Sequence, residues 1–435
     1  MGKLAIHGGK PIRRTPFPFY RTVGEEEKRA VRRVIDSGIL SGFLGSWHSK
    51  FFGGREVRKL EEEWAKYFKV KHAIAVNSCT SGLYAAVGAA GVAPGDEVIV
   101  SPYTMSASAT AAIIFNGVPI FADIEEGYFC IDPDSCESKI TKRTKAIIVV
   151  DLFGQPYDAS RINAIARKHN LVVIEDAAQA PGATYKGKFT GTLADIGVFS
   201  LNCHKHIQCG EGGIVVTDSD LFANRVRLIR NHAEAVVGDK REKDIVNMVG
   251  YNFRMTELEA AVSSCQLKKL KKLVEKRIAN CSYIAARLTA IPAILTCSVR
   301  PSATHVYYAQ PFKFNRRIAG VGRDVFLEAV KAELAPTEMG EDLGVRIWPG
   351  YCAPLYLAPM YQKKIAYGKS GFPFVGPHYK RKVNYSKGIC PVAERMHEEE
   401  LFINDLMYPA LTKRDLDDVV EAFIKVWDNR KELLD

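Results

Sequence analysis

Three short segments of this chain carry residue types that could do chemistry, and each follows an apolar run. Ser78-Cys79-Thr80-Ser81-Gly82 comes after AIAVN and leads into a helical pattern. Small residues and hydroxyls at a helix N-terminus suit an anion, because free backbone N–H groups and the helix dipole favour negative charge. An ordinary helix cap uses the same residue types. Asp176 ends the run LVVIED and precedes Ala177-Ala178-Gln179. A carboxylate there is costly unless a cation or hydrogen-bond donors meet it, which also fits a helix cap or a structural ion pair. Lys205 follows IGVFSL and precedes Gly210-Glu211-Gly212-Gly213, with His204 and His206 on either side. A lysine near the core is easily desolvated, which lowers its pKa and makes it a Schiff-base nucleophile. A surface lysine is the plainer reading of that residue alone.

The combination says more than its parts. An anion cradle, an acid and a lysine are the three grips that pyridoxal phosphate needs: one for the phosphate, one for the protonated pyridine nitrogen, one for the Schiff base. Neither a Gly-x-Gly-x-x-Gly after a strand nor a Walker-type loop is present, so the nicotinamide and ATP readings lack their motifs. The ten cysteines are scattered without CxxC pairs or Cys/His ligand spacing, which predicts reduced thiols in a cytoplasmic protein, with neither zinc nor disulfides.

The elements that must position these groups are legible from residue 70 onward. Apolar runs at 73–77, 97–101, 118–122, 146–151, 171–176, 196–200 and 213–217 alternate with helical patterns at 80–92, 107–116 and 159–169. Most runs are unbroken rather than alternating, as in strands buried on both faces. The predicted fold class is α/β, with a mostly parallel central sheet, helices on both faces and a smaller α+β C-terminal domain. Ligands in such sheets sit beyond the carboxyl ends of the strands, where all three groups fall. Thr256-Glu257-Leu258-Glu259 reads as a capping box opening a helix to about Arg277, which links the two domains. Beyond it, 305–314 reads as a strand, with 324–334 and 413–428 as helices. The expected domains are 36–270 and 271–435, with residues 1–35 packing on the second.

At this point the chain resembles the DegT/StrS family of sugar aminotransferases, which have the aspartate-aminotransferase fold. The resemblance runs over nearly the whole length, through GDEVIVSPYT, RTKAIIVVDLFGQP, VIEDAAQAPGA, FSLNCHKHIQCGEGGIVVT and GYNFRMTELEAAV. It implies pyridoxal phosphate as cofactor and Lys205 as its Schiff-base lysine. It further implies Ser200 on the phosphate, Asp176 on the pyridine nitrogen and Gln179 near the ring's 3-oxygen. Thr80 and Ser81 match the phosphate cradle, and Asn252 matches a residue that reaches the cofactor phosphate of a neighbouring subunit, so a homodimer with shared sites is implied. Two positions depart from the family pattern. Met105 stands where an aromatic ring usually stacks on the cofactor, and a thioether can still lie on the ring face. Cys79 replaces the glycine usual before the cradle threonine.

The implied reaction moves an amino group from glutamate or glutamine to a ketosugar, nucleotide- or phosphate-linked, in aminosugar biosynthesis. A glutamine-dependent cyclitol (inosose-type) aminotransferase is the alternative, and a non-catalytic cofactor-binding regulator a remote one. A dehydratase branch of the family carries histidine in place of the lysine, which Lys205 argues against. The net charge of +11, from 60 Lys+Arg against 49 Asp+Glu, raises the question of an acidic partner. Much of the excess lies between residues 343 and 393, which hold no Asp or Glu but many lysines and aromatics, with Lys380 and Arg381 among them. That stretch is expected either to close over a substrate phosphate or to form a solvated loop or dimer contact. Tyr351 and His232 are further substrate candidates. No helix-turn-helix or zinc-finger pattern points to nucleic acid, and no run is long and apolar enough to span a membrane.

Overall fold

A computed structural model describes residues 3–339 and 344–434. Seven strands form the main sheet: β1 (His72–Val76), β2 (Glu97–Val100), β3 (Val118–Phe121), β4 (Thr144–Val150), β5 (Val172–Asp176), β8 (Ile196–Ser200) and β9 (Gly213–Thr217). A two-stranded ribbon, β6 (Thr184–Tyr185) and β7 (Lys188–Phe189), lies between β5 and β8 in the chain. The sheet order is β1-β9-β8-β5-β4-β2-β3. Neighbours from β8 to β3 pair in parallel, and only β9 runs against both of its partners. The predicted mostly parallel sheet is therefore present.

Its runs are unbroken because both faces are buried. Val198 and Val215 point to one core and Phe199, Ile214 and Val216 to the other. Helix Cys79–Ala89 packs on the first face. Helices Arg55–Phe68 and Glu257–Leu288 supply Trp64, Phe68, Leu267 and Leu270 to the second. Gly82 permits the close approach of its helix, since a Cβ there would stand 2.7 Å from Val198.

The capping box at Thr256 and Glu259 forms, but its helix runs 32 residues to Leu288 rather than stopping near Arg277. The apolar stripe simply changes partner: Leu267 and Leu270 face the sheet, while Cys281, Ile284 and Leu288 face a separate core. That second core surrounds β10 (Ile294–Thr296), β11 (Gln310–Phe314), β12 (Ile347–Pro349) and β13 (Leu401–Asn404), an antiparallel sheet ordered β10-β11-β13-β12. Leu4 and Phe17 join it from one direction and helix Lys413–Asp428 from another. The strand expected over 305–314 begins only at Gln310. Tyr307, at φ 52°, breaks the extended run, and residues 306 and 308 instead donate backbone N–H groups to Gly154 and Phe153.

Beyond β12, residues Leu355 to Tyr385 of the stretch rich in lysine and aromatic residues fold as an extra layer on edge strand β3; Leu343, the first residue of the stretch, lies outside the described residues. Tyr356, Tyr361 and Tyr385 surround Phe121 at ring distances of 5.7, 5.2 and 5.6 Å. Tyr385 also donates its hydroxyl to the Pro119 carbonyl at 2.8 Å. An exposed strand edge invites pairing with other chains, and this layer covers it.

Candidate active site

The site forms at the carboxyl ends of β5, β8 and β2, together with the loop after β1. Asp176, the last residue of β5, is buried. Its Oδ2 accepts the Ser108 hydroxyl at 2.7 Å and its Oδ1 the Ala178 N–H at 3.2 Å. Burial raises the pKa of its carboxyl, against the pull of those two donors and of the nearby Lys205 ammonium. A buried acid in that state is suited to a cationic partner.

Lys205 is held by a tight turn after β8. Its own N–H donates to Asn202, and Leu201 and Gly212 close the loop behind it. Its half-buried Nζ lies 4.2 Å from the centroid of the Tyr308 ring. The flanking histidines point elsewhere: His206 is buried with Nε2 2.9 Å from the Val306 carbonyl, and His204 is exposed. Ser200 is buried at the end of β8, its hydroxyl accepting the Asn202 N–H at 3.3 Å.

Ser78 caps the helix Cys79–Ala89, accepting the Ser81 N–H at 3.0 Å. Thr80 and Ser81 thus stand in the first helical turn, whose N–H groups lack intrahelical acceptors. Gly213 of β9 lies against this turn, where a Cβ would stand 2.7 Å from the Cys79 nitrogen. Cys79 feels the charges of both Asp176 and Lys205, which places cradle, acid and lysine around one point. Burial drives its thiol pKa up.

Gln179 bridges two elements: its Oε1 accepts the Phe153 N–H at 2.7 Å and its Nε2 donates to the Tyr351 hydroxyl at 3.0 Å. Tyr351 is fixed in turn by Tyr103, whose hydroxyl accepts its N–H at 2.8 Å. Tyr351 lines a cleft of about 420 Å³ with His204, Tyr308, Arg346, Trp348 and Asp405. Arg346 and Asp405 form an ion pair at the cleft wall. Met105 precedes the helix Ser106–Ile114 that carries Ser108, and is 62% exposed.

Four expected site residues lie elsewhere. His232 sits at φ 53°, with its ring against the loop at Gly45 and half exposed. Asn252 adjoins it, bridged to Asn231, with its side-chain oxygen accepting the Arg254 Nε–H at 2.9 Å. Its backbone carbonyl meets Asn77, just beyond β1. Arg381 pairs at 3.0 Å with buried Glu97, at the amino end of β2 and so at the wrong end of the sheet to meet Asp176. Lys380 beside it is exposed. Within this stretch Arg381 is committed to Glu97 and Tyr356, Tyr361 and Tyr385 to edge strand β3, away from any substrate phosphate, whereas Trp348 and Tyr351 line the cleft. Ser108, Tyr308 and Asp405 complete the site from segments with no motif of their own, and Arg346 and Trp348 from the start of the stretch rich in lysine and aromatic residues.

These residues fit pyridoxal phosphate: an acid whose burial calls for a cation, a capped helix N-terminus for an anion, and a lysine beside both. The description "DegT/DnrJ/EryC1/StrS aminotransferase family" matches residues 22–424. The chain belongs to that family. It is 32% identical to the spore coat polysaccharide biosynthesis protein SpsC of Bacillus subtilis (strain 168), over 92% of this chain and 94% of that one. It is 30% identical to the L-glutamine:2-deoxy-scyllo-inosose aminotransferase of Streptomyces kanamyceticus, over 99% and 98%. Among solved structures it resembles DesI in the presence of its TDP-sugar product, with a TM-score of 0.79, 25% identity, and 99% and 98% coverage. This DegT/StrS protein is an aminotransferase that uses pyridoxal phosphate.

Proposed function

We propose that this enzyme transfers an amino group from glutamate or glutamine to a nucleotide- or phosphate-linked ketosugar, with Lys205 as the proton-moving base. The carrying observation is the cleft beside Lys205, which combines a flat indole at Trp348, the Tyr351 ring and the guanidinium of Arg346. Such a wall can lie along a sugar face and meet an anionic oxygen bidentately. Bound pyridoxal phosphate would supply an electron sink for negative charge on the substrate carbon. Asp176 would hold the pyridine nitrogen protonated, Ser200 with Thr80 and Ser81 the phosphate, Met105 one ring face and Gln179 the neighbourhood of the ring oxygen. The Lys205 amine, over Tyr308 and beside Asp176, is placed to carry a proton between adjacent atoms of substrate and cofactor.

A glutamine-dependent inosose aminotransferase is the second reading, favoured by the S. kanamyceticus relative that matches along almost all of both chains. Offering glutamate or glutamine with nucleotide ketosugars or scyllo-inosose separates the two. Turnover of inosose alone overturns the first.

A homodimer with Asn252 reaching the partner's site is part of the proposal. Ile39, Leu40, Leu44 and Trp47 are exposed in the loop that touches His232, and Ile245, Val246 and Val249 are exposed shortly before Asn252. Such a patch suits a second copy, and a monomeric mass in light scattering would contradict it. A cytoplasmic setting is supported by ten free cysteines. Among the described residues no helix is long and apolar enough to cross a membrane. The division into 36–270 and 271–435 is proposed on the two cores, with the layer over β3 belonging by packing to the first.

A further inference from the structure

The loop that carries Tyr308 is fastened from several sides. The Val306 and Tyr308 N–H groups donate to the carbonyls of Gly154 and Phe153 at 2.9 and 2.7 Å. The Tyr307 and Tyr308 carbonyls accept from Arg277 Nη1 at 3.2 and 3.3 Å. The Val306 carbonyl accepts from His206 Nε2 at 2.9 Å. Tyr307 lies flat on His305, with ring centroids 3.9 Å apart. Two aromatic residues in these contacts, Phe153 at φ 59° and Tyr307 at φ 52°, stand in the left-handed region. Such conformations are costly for bulky side chains and persist where the surroundings over-determine them.

What these contacts hold still is a ring under a lysine. Lys205 Nζ stands 4.2 Å from the centroid of Tyr308, and among the described residues it makes neither a hydrogen bond nor an ion pair. A cation at that distance is attracted by the negative face of the ring, more strongly where water is scarce. His206 follows Lys205 directly and binds Val306, two residues before Tyr308, so the lysine turn and the tyrosine loop are locked in register. Arg277 is buried and forms no ion pair among the described residues. Its Nη1 meets the two loop carbonyls and Met407 Sδ, and its Nε has no partner. A buried guanidinium with no carboxylate is costly, and here its hydrogen bonds go to the backbone on either side of the Tyr308 α-carbon and its neighbour.

We propose that the Tyr308 ring is the seat of the Lys205 ammonium, where the lysine rests whenever it carries the proton and is not joined to the cofactor. Tyr308 is thus a positioning residue that acts through Lys205, with Arg277 and His206 fixing its loop, and the proposal rests on the role given to Lys205 above. A ring face suits a group that must hand its proton on. A carboxylate in the same place would bind the ammonium by a strong charge-assisted hydrogen bond in one direction. The ring attracts the cation more weakly and over its whole face. The attraction comes from that face and not from the hydroxyl, so phenylalanine should serve in its place.

Limited acetylation of cofactor-free protein with acetic anhydride, read at the Lys205 peptide by mass spectrometry, tests the seat apart from the reaction. Only an unprotonated amine attacks the reagent, so a seated ammonium labels slowly. Tyr308→Leu is expected to label at Lys205 about fivefold faster than wild type or more, while Tyr308→Phe stays within about twofold of wild type. Alkylation of exposed Cys203 by iodoacetamide should be the same in all three. Labelling of Tyr308→Leu at the wild-type rate, with a cooperative melt showing intact folding, overturns the seat. So does equal acceleration in Tyr308→Phe, which gives the role to the hydroxyl, or a parallel rise at Cys203, which means that the turn has opened. In loaded protein Tyr308→Leu should lower kcat by about fivefold or more with KM for the amino donor nearly unchanged, and Tyr308→Phe should restore it. A rise in KM alone overturns the link to proton movement. Uptake of pyridoxal phosphate on another lysine, located by borohydride reduction and peptide mass, would instead contradict the role of Lys205, leaving the labelling result intact.

Discussion

Among the described residues no hydrogen bond ties down the Nζ of Lys205; what lies beneath it is the face of Tyr308. Its amine can therefore turn, as the role proposed for it between cofactor and substrate requires. Lys205→Ala is expected to abolish the visible band of the loaded protein and to lower turnover by at least about 10²–10⁴-fold, read by spectrophotometry and a coupled assay. Under the proposed function Arg346 would serve substrate rather than chemistry, because it stands on the cleft wall with Asp405. Arg346→Ala is expected to raise KM for a phosphate-bearing ketosugar by about tenfold or more, with kcat nearly unchanged. Asp176 and Lys205 were legible in the sequence because each stands at or just beyond an apolar run, where strand ends fall, whereas Gln179 and Ser200 entered only through the family resemblance. Tyr308 and Arg346 were not picked out, since each lies more than 100 residues from Lys205, in a segment legible for its strand pattern or its charge but not for its place at the site. Arg381 was misread for a related reason: composition counts charges but does not say which end of a sheet they occupy, and buried Glu97 claims this one.

The strands and the cap at Thr256 followed from periodicity, and every element of the main sheet lies where its apolar run predicted. What periodicity could not give was partner exchange. The helix from Glu257 keeps one apolar stripe but divides it between two cores, so its length was underestimated. The layer on β3 shows the same limit, because its tyrosines look like ligand platforms until Phe121 is found among them. Tyr385→Phe removes one hydrogen bond to the β3 edge and should cost about 1 kcal/mol, whereas Phe121→Ala should cost about 3–5 kcal/mol. Urea unfolding would measure both. Neither is expected to alter the KM of the amino donor, since the layer touches the strand edge and not the cleft.

For the molecule as a whole, burial of Asp176 sets a pH dependence whose sign is fixed. Its folded pKa lies above the ordinary carboxylate value, so without cofactor the native state binds more protons than the unfolded chain. The stability that this proton contributes is present at low pH and is lost as pH rises through the raised pKa. The cationic ring nitrogen proposed beside Asp176 would pull that pKa down and remove the loss. The gain in melting temperature on loading with pyridoxal phosphate should therefore grow as pH rises above the ordinary carboxylate range, and Asp176→Asn should flatten that growth. Buried His206 and His305 act in the opposite sense, their pKa values pushed down by burial, but they do so in loaded and unloaded protein alike. The part of the difference that Asp176→Asn removes belongs to Asp176.

The second core is closed by residues remote in the chain. Leu4 donates its N–H to Glu432, 428 positions on, and Arg13 pairs with Asp415 and Asp418. During synthesis the main sheet can assemble from neighbouring β-α-β units, but this core must wait until both segments have left the ribosome. Nascent chains halted after residue 300 should therefore already protect the sheet from protease while leaving Leu4 to Phe17 open to cleavage. The cleft, with walls drawn from both parts, is the last piece of the enzyme to come into being.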